Sequence, residues 1–273
     1  MGDTDELAIV QLAADAAPDG LMLSAEAHWN QNEADWRFFL GHGTVFGIRD
    51  GDRLIATAAL LPYSDGNAWI SMVLVTQTWR RRGLATKLVA ACVERAAGEG
   101  LTPWLDATPA GATVYGPLGF TPVLELRRLR IAGAGTPVRE LTPGGSIDEF
   151  ISRDRRAMGF DRSALLREFC NRPGSRIVSQ HGAFALLRDG RTARHVGPIY
   201  ADGTAAATAL VQAITACEVG PLLVDVVNEQ SAFLQALTGS GWSLERPFQR
   251  MRFGCAAAAT PELPFAVAGP EFG

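Results

Sequence analysis

Apolar residues in this chain fall in short blocks whose spacing changes from strand-like to helix-like and back. Over residues 45–61, two apolar blocks flank Asp50-Gly51-Asp52, a pattern that predicts two strands joined by a tight turn. Residues 68–75 form a third block of bulky and β-branched side chains and predict a buried strand. The period then lengthens. Leu84, Leu88, Cys92 and Ala96 share one face at i, i+4 spacing, which predicts a helix ended by Gly98 and Gly100. Residues 103–107 predict another strand, a short helix is expected near 113–118, and 123–131 predicts a closing strand. The order is that of a β-hairpin feeding a βαβ-type unit.

The pattern partly repeats. Residues 132–137 are small residues, Gly and Pro, which build no core and predict a linker. Beyond it, 176–178 and 182–187 predict strands before the hairpin signal Asp189-Gly190, 195–200 a strand, 204–218 a helix and 222–227 a buried strand. A short helix then ends at Gly239-Ser240-Gly241-Trp242. Leu105-Asp106 with Gly119-Phe120 downstream matches Val224-Asp225 with Gly241-Trp242 downstream, so an internal duplication is inferred. The expected units are 1–132, a linker at 133–143, a second copy at 144–254 and a tail at 255–273. In that tail Leu263, Phe265 and Val267 are apolar enough to dock as an extended strand.

A length of 273 residues suits two such units. Gly, Pro or a charge interrupts every apolar run before it can span a bilayer, and the acidic start, Asp3, Asp5 and Glu6, lacks a secretory signal core. Cys92, Cys170, Cys217 and Cys255 form no CxxC pair or Cys/His cluster, so a reduced, cytoplasmic setting without a metal is expected. A net charge of −4 argues against a nucleic-acid binder. Lys87 is the single lysine, leaving one candidate for Schiff-base chemistry.

The chemistry concentrates where the third strand turns into the helix, at Arg80-Arg81-Arg82-Gly83-Leu84-Ala85. A basic, glycine-containing turn that opens a helix presents unpaired N–H groups and a positive dipole end, which suits a pyrophosphate. Gly83 permits close backbone approach, and the small Ala85 leaves the first helical turn uncrowded. This loop resembles that of the GNAT acyltransferase superfamily: Arg or Gln, two variable residues, Gly, one variable residue, then Gly or Ala. Val73, Leu74 and Val75 stand where the family splays two strands and uses exposed backbone for the acetyl carbonyl and pantetheine. Tyr115 with Gly119-Phe120 matches the family's Tyr, three residues, Gly-Phe signature.

The resemblance covers about residues 20–130, with the remainder a degenerate echo, and implies an α/β (α+β) GNAT fold in tandem, a mixed sheet flanked by helices. It implies an acetyl-CoA-dependent N-acetyltransferase in which an amine attacks the thioester directly. The donor would be held by Val73, Leu74, Val75, Arg80, Arg81, Arg82, Gly83, Leu84, Ala85 and Thr86, and Tyr115 would protonate the departing thiolate. Glu26, His28 and Glu33 lie in the Trp-containing segment where the family builds its acceptor pocket; they serve there or are solvated helix residues. The general base stays open, a water chain included. Recurrence of Asp106 as Asp225 in the degenerate half favours a structural role, as a turn or capping partner. Trp29, Trp36, Phe38 and Phe39 are expected mostly in the core. In the second half Asp202 faces the phosphate position and Leu237 replaces Tyr115, so that half is expected to be silent, although Asn228 stands where many relatives carry an Asn near the donor. The acceptor is a small-molecule or protein amine, and monomer and homodimer both remain open. A non-catalytic acyl-CoA-binding sensor or interaction protein is the alternative.

Overall fold

The computed structural model describes residues 7–133, 144–255 and 262–273. The acidic start and, apart from Gly133, the linker expected at 133–143 lie outside the described residues. Strand β1 (Ile9–Gln11) precedes a helix pair, α1 (Ala17–Glu26) and α2 (Glu33–His42). A reciprocal capping box between Asn32 and Asp35 starts α2. Then come β2 (Thr44–Asp50), β3 (Arg53–Pro62), β4 (Asn67–Val75), α3 (Leu84–Gly98), β5 (Thr102–Ala107), α4 (Pro109–Tyr115) and β6 (Phe120–Ile131). From α1 onward the order recurs as α5 (Ile147–Met158), α6 (Ser163–Asn171), β7 (Arg176–Gln180), β8 (Ala183–Arg188), β9 (Arg194–Ala201), α7 (Thr204–Cys217), β10 (Leu222–Val227), α8 (Ser231–Gly239) and β11 (Ser243–Phe253). Helix α4 begins four residues before the expected Thr113 because Thr108 caps Gly111 N–H at 3.2 Å and Pro109 is preset for the first turn.

All the described strands join one mixed sheet in the order β1-β2-β3-β4-β5-β11-β6-β10-β9-β8-β7. The two halves are interleaved: β11 lies antiparallel between β5 and β6, and β6 in turn pairs with β10. Each half therefore closes its sheet with the last strand of the other. Two buried ion pairs sit at these exchanges. Arg250 on β11 grips Asp106 on β5 at 2.9 and 2.8 Å, and Arg128 on β6 grips Asp225 on β10 at 2.8 and 2.9 Å. Asp106 and Asp225 are thus cross-strand ion-pair partners, rather than the turn or capping residues expected from sequence.

Side-chain alternation along β3 and β8 sends residues to both faces. On one face α1, α2, α5 and α6 share a single core containing Trp36, Phe39, Phe150 and Phe169. On the other, α3 and α4 cover the first half and α7 and α8 the second, as separate clusters. Trp36, Phe38 and Phe39 are buried, whereas Trp29 is only partly so.

Candidate active site

Strands β4 and β5 pair in parallel over three positions only, Asn67 with Thr102, Ala68 with Pro103 and Trp69 with Trp104. Past Trp69 they diverge. A bulge in β4 drives the divergence: Met72 takes φ 51°, the register against β3 slips between Thr57 and Ala59, and the Thr57 hydroxyl donates to Met72 O at 2.8 Å. The resulting cleft, open to solvent, is lined by residues 70–73 of β4 and by 105–108 across from them. Val73 reaches this lining. Leu74 points into the helix-covered core, and Val75 O accepts from Arg80 Nε at 3.0 Å.

Below the mouth of the cleft the chain makes the Arg80–Gly83 turn. Arg81 and Gly83 both adopt left-handed backbone, φ 61° and 78°, and among the described residues no side chain caps the first turn of α3. The amide hydrogens of Leu84, Ala85 and Thr86 begin a fifteen-residue helix and are free to meet an anion. A Cβ on Gly83 would touch nothing within 4 Å, so within the protein the glycine answers to its φ rather than to packing. Arg82 lies over Trp79 at 4.6 Å. Tyr115 ends α4 on the cleft wall. Burial pushes its phenol up to about 12, so the proton is retained at neutral pH, and among the described residues no side chain or carbonyl engages its hydroxyl.

A model of the acetyltransferase (GNAT) family matches residues 8–120, and a model of an acetyltransferase (GNAT) domain matches 151–262, between them most of the chain. The chain belongs to the GNAT acetyltransferases. Among curated proteins no sequence matches it. A putative acetyltransferase from Pyrococcus horikoshii superposes over 99% of this chain and 97% of its own, with a TM-score of 0.80 at 17% identity. A tandem GNAT protein from the clavulanic acid biosynthesis pathway covers 93% of this chain and 100% of its own, at a TM-score of 0.66 and 14% identity. A GCN5-related N-acetyltransferase from Sphaerobacter thermophilus gives 0.65 at 15%, over 94% and 99% of the two chains. At these identities the likeness is one of fold.

Within this GNAT chain, the three acidic and histidine candidates of the Trp-containing segment stand away from the cleft lining. Glu26 ends α1 against the turn after β4, accepting from Thr76 Oγ1 at 2.9 and 2.8 Å and from Gln77 N at 2.5 Å. The bond from Gln77 N holds its carboxyl below the ordinary range. His28 is exposed, with φ 57°, and Glu33 makes a surface pair with Arg37. Their neighbours Trp29 and Gln31 line the cleft instead, joined by Arg128 of β6, Arg246 and Phe248 of β11 and Glu271 of the tail. Sequence reasoning missed these four, since only the strand exchange and the tail bring them there. The one available signal was the apolar character of the tail.

The second half has the matching divergence between β9 and β10, which pair in parallel only at Leu222 with Arg194 and Leu223 with His195. Here the tail fills it. Phe265 N donates to Ile199 O and Ile199 N to Ala266 O, both at 2.9 Å, while Val267 N donates to Asp225 O at 2.9 Å and Val227 N to Phe265 O at 3.2 Å. The turn before α7 lacks the left-handed pair: Gly203 is extended, and Asp202 stands beside it, bound to Arg153 at 2.9 Å. Leu237 is fully buried, and the Asn228 side chain accepts from Arg127 Nε at 2.9 Å. Among the described residues no helix is long and apolar enough to cross a membrane, and no group of three or more His, Cys, Asp or Glu is placed to hold a metal ion.

Proposed function

We propose that the chain is an acetyl-CoA-dependent N-acetyltransferase working in the first cleft, with residues 1–132 as the catalytic unit and 144–254 as a silent one that binds no donor. The observation that carries this reading is the open divergence of β4 and β5, with the free N-terminus of α3 at one end and the unengaged Tyr115 hydroxyl on its wall. The residues fit the group. Two left-handed residues and uncapped amides suit a pyrophosphate, Arg80, Arg81 and Arg82 supply positive charge, and the unpaired edge of β4 at 73–75 suits the amide-bearing pantetheine. Bound acetyl-CoA would supply a thioester whose carbonyl carbon an amine attacks, forming the N–C bond as the C–S bond breaks. Tyr115 then gives its proton to the leaving sulfur, and a carboxylate or water takes one from the amine. All four cysteines are free, in keeping with a cytoplasmic setting.

The test uses the whole chain, because the exchanged strands bar clean separation of its halves. Calorimetry with acetyl-CoA is expected to give one site per chain, and amine-dependent release of free thiol is expected in assays over a panel of amines. Two sites per chain would refute the assignment of a silent half. Binding without thiol release from any amine would favour the sensor alternative.

A further inference from the structure

The first cleft holds polar groups that neither the donor site nor the fold employs. Gln31 and Ser71 are more than nine-tenths buried on its wall, yet among the described residues Gln31 Oε1 and Ser71 Oγ have no hydrogen-bond partner. Buried polar atoms without partners are costly, and a ligand that supplies the missing bonds removes that cost.

Charged groups in the lining also keep binding capacity, with opposite sign at two places. Glu271 ends a row of alternating charges that starts at the half-exposed Glu168: Glu168 to Arg172 at 2.9 Å, Arg172 to Asp35 at 2.6 Å, Asp35 to Arg188 at 3.6 Å and Arg188 to Glu271 at 3.0 Å. Arg188 is shared between Asp35 and Glu271, so the carboxylate at the cleft end has half a guanidinium partner. Only Glu271 Oε1 is engaged by Arg188. Elsewhere in the lining, among the described residues Arg246 meets only Glu245, at 3.3 Å, and that carboxylate is already held by Arg130 at 2.6 Å. Two guanidinium groups share one carboxylate, which leaves a positive charge at Arg246. The other charged lining residues, Asp106 and Arg128, are neutralised by bidentate partners.

We propose that the acceptor is a small primary amine that also carries an oxyanion, of the amino-acid type. Its ammonium group sits at Glu271, with Gln31 and Ser71 completing its hydrogen bonds, and its carboxylate or phosphate sits at Arg246. This rests on the acetyl-transfer reading above. Glu271 takes the proton that the ammonium must lose before its lone pair forms the N–C bond; as the C–S bond breaks, Tyr115 gives its proton to the sulfur, and the second proton leaving the nitrogen restores the phenol, directly or through water. A polycationic amine offers no anion to Arg246 and leaves its charge unanswered.

The experiment measures thiol release from acetyl-CoA with free amino acids, with phosphoethanolamine, and with the parent amines lacking the anion, such as ethylamine for alanine. An anion-bearing amine is expected to exceed its parent at least tenfold in kcat/KM, and the better anion identifies carboxylate or phosphate. Arg246→Gln is expected to lower that preference at least tenfold, mainly through KM; Arg246→Lys restores part of it. Glu271→Gln is expected to lower kcat at least tenfold for every acceptor while acetyl-CoA affinity holds. Equal or better use of the parent amines, an unchanged preference in Arg246→Gln, or no transfer to any anion-bearing amine while acetyl-CoA still binds would each overturn the proposal and leave the donor site standing. Failure to bind acetyl-CoA would overturn the underlying reading and this one with it.

Discussion

The two clefts of this molecule start from the same geometry and end differently. In each, two parallel strands pair for a few residues and then diverge, exposing backbone groups that need partners. The first cleft stays open, and its strand-to-helix turn has left-handed backbone at Arg81 and Gly83. The second is filled by the chain itself, with residues 265–267 hydrogen-bonded to both diverging strands, and its turn carries Asp202. A diverged strand pair is therefore a demand for hydrogen bonds, and a peptide segment meets it without any ligand. The silence proposed for the second copy has three independent sources: an occupied cleft, an acidic turn, and Leu237 where a phenol would stand.

The largest expected effect tests what the halves still share. Asp106→Asn and Asp225→Asn each leave a buried guanidinium without its charge partner, and each is expected to cost about 3–5 kcal/mol in denaturant unfolding. Comparable losses at both sites would show that the exchange is held symmetrically; a loss at one alone would break the comparison. The sign with pH is also set. Although burial opposes it, Arg128 and the bond from His195 hold Asp225 below the ordinary carboxylate range, so its contribution is present above the unfolded value and fades as pH falls through the folded one.

Next in size is the donor loop. Gly83→Asp places a carboxylate where the pyrophosphate is proposed to lie and is expected to weaken acetyl-CoA binding at least about 100-fold by calorimetry, since charge repulsion and lost backbone approach add. The left-handed φ costs only about 1 kcal/mol of fold stability, so the variant remains folded. The mirror change, Asp202→Gly, is expected to leave the stoichiometry at one, because residues 265–267 still fill the second cleft. A second equivalent would show that the acidic turn alone silenced it.

Tyr115→Phe is expected to lower single-turnover acetyl transfer at least about tenfold while leaving acetyl-CoA affinity within twofold, as the ring still packs and only the acid is lost. The smallest effect is one of pH. With its phenol pushed up to about 12 by burial, Tyr115 stays protonated across the usual assay range and loses its proton only as pH rises through that value. The ratio of wild-type to Tyr115→Phe rates is therefore expected to stay constant between about pH 7 and 10. A ratio that falls within that window would place the phenol in a wetter or more polar setting than the cleft wall.

Local chemistry made much of the first half readable. The turn from Arg80 to Ala85, the helix face of Leu84 and Leu88, and the Tyr115 to Phe120 spacing each occupy a few consecutive residues, so their meaning survives without tertiary information. The strand exchange was not readable. Strand β11 pairs with residues more than 100 positions earlier, and Pro247, which argues against an interior strand, sits within it. Helix pair α5 and α6 also escaped, although the recurring element order implies it once the first half is known. On the proposed acceptor side, the expected side chains and the cleft lining differ within one segment. Glu26 turns toward Thr76 and Gln77, while Trp29 and Gln31 a few residues on face the cleft. Partner choice over such separations depends on packing, which a sequence pattern does not encode.

Synthesis on a ribosome runs in one direction, and the exchange of β6 and β11 places a constraint on it. When residue 131 has emerged, β5 still lacks its neighbour, and β6 has neither β11 nor β10 to pair with. The first cleft's own sheet stays incomplete until residue 253 has been made. The nascent first half thus carries open strand edges for the time taken to translate the second, a period in which off-pathway pairing competes. The proposed activity would need β11 and then the segment carrying Glu271, so the copy proposed to bind no donor is still needed to finish the one proposed to do so.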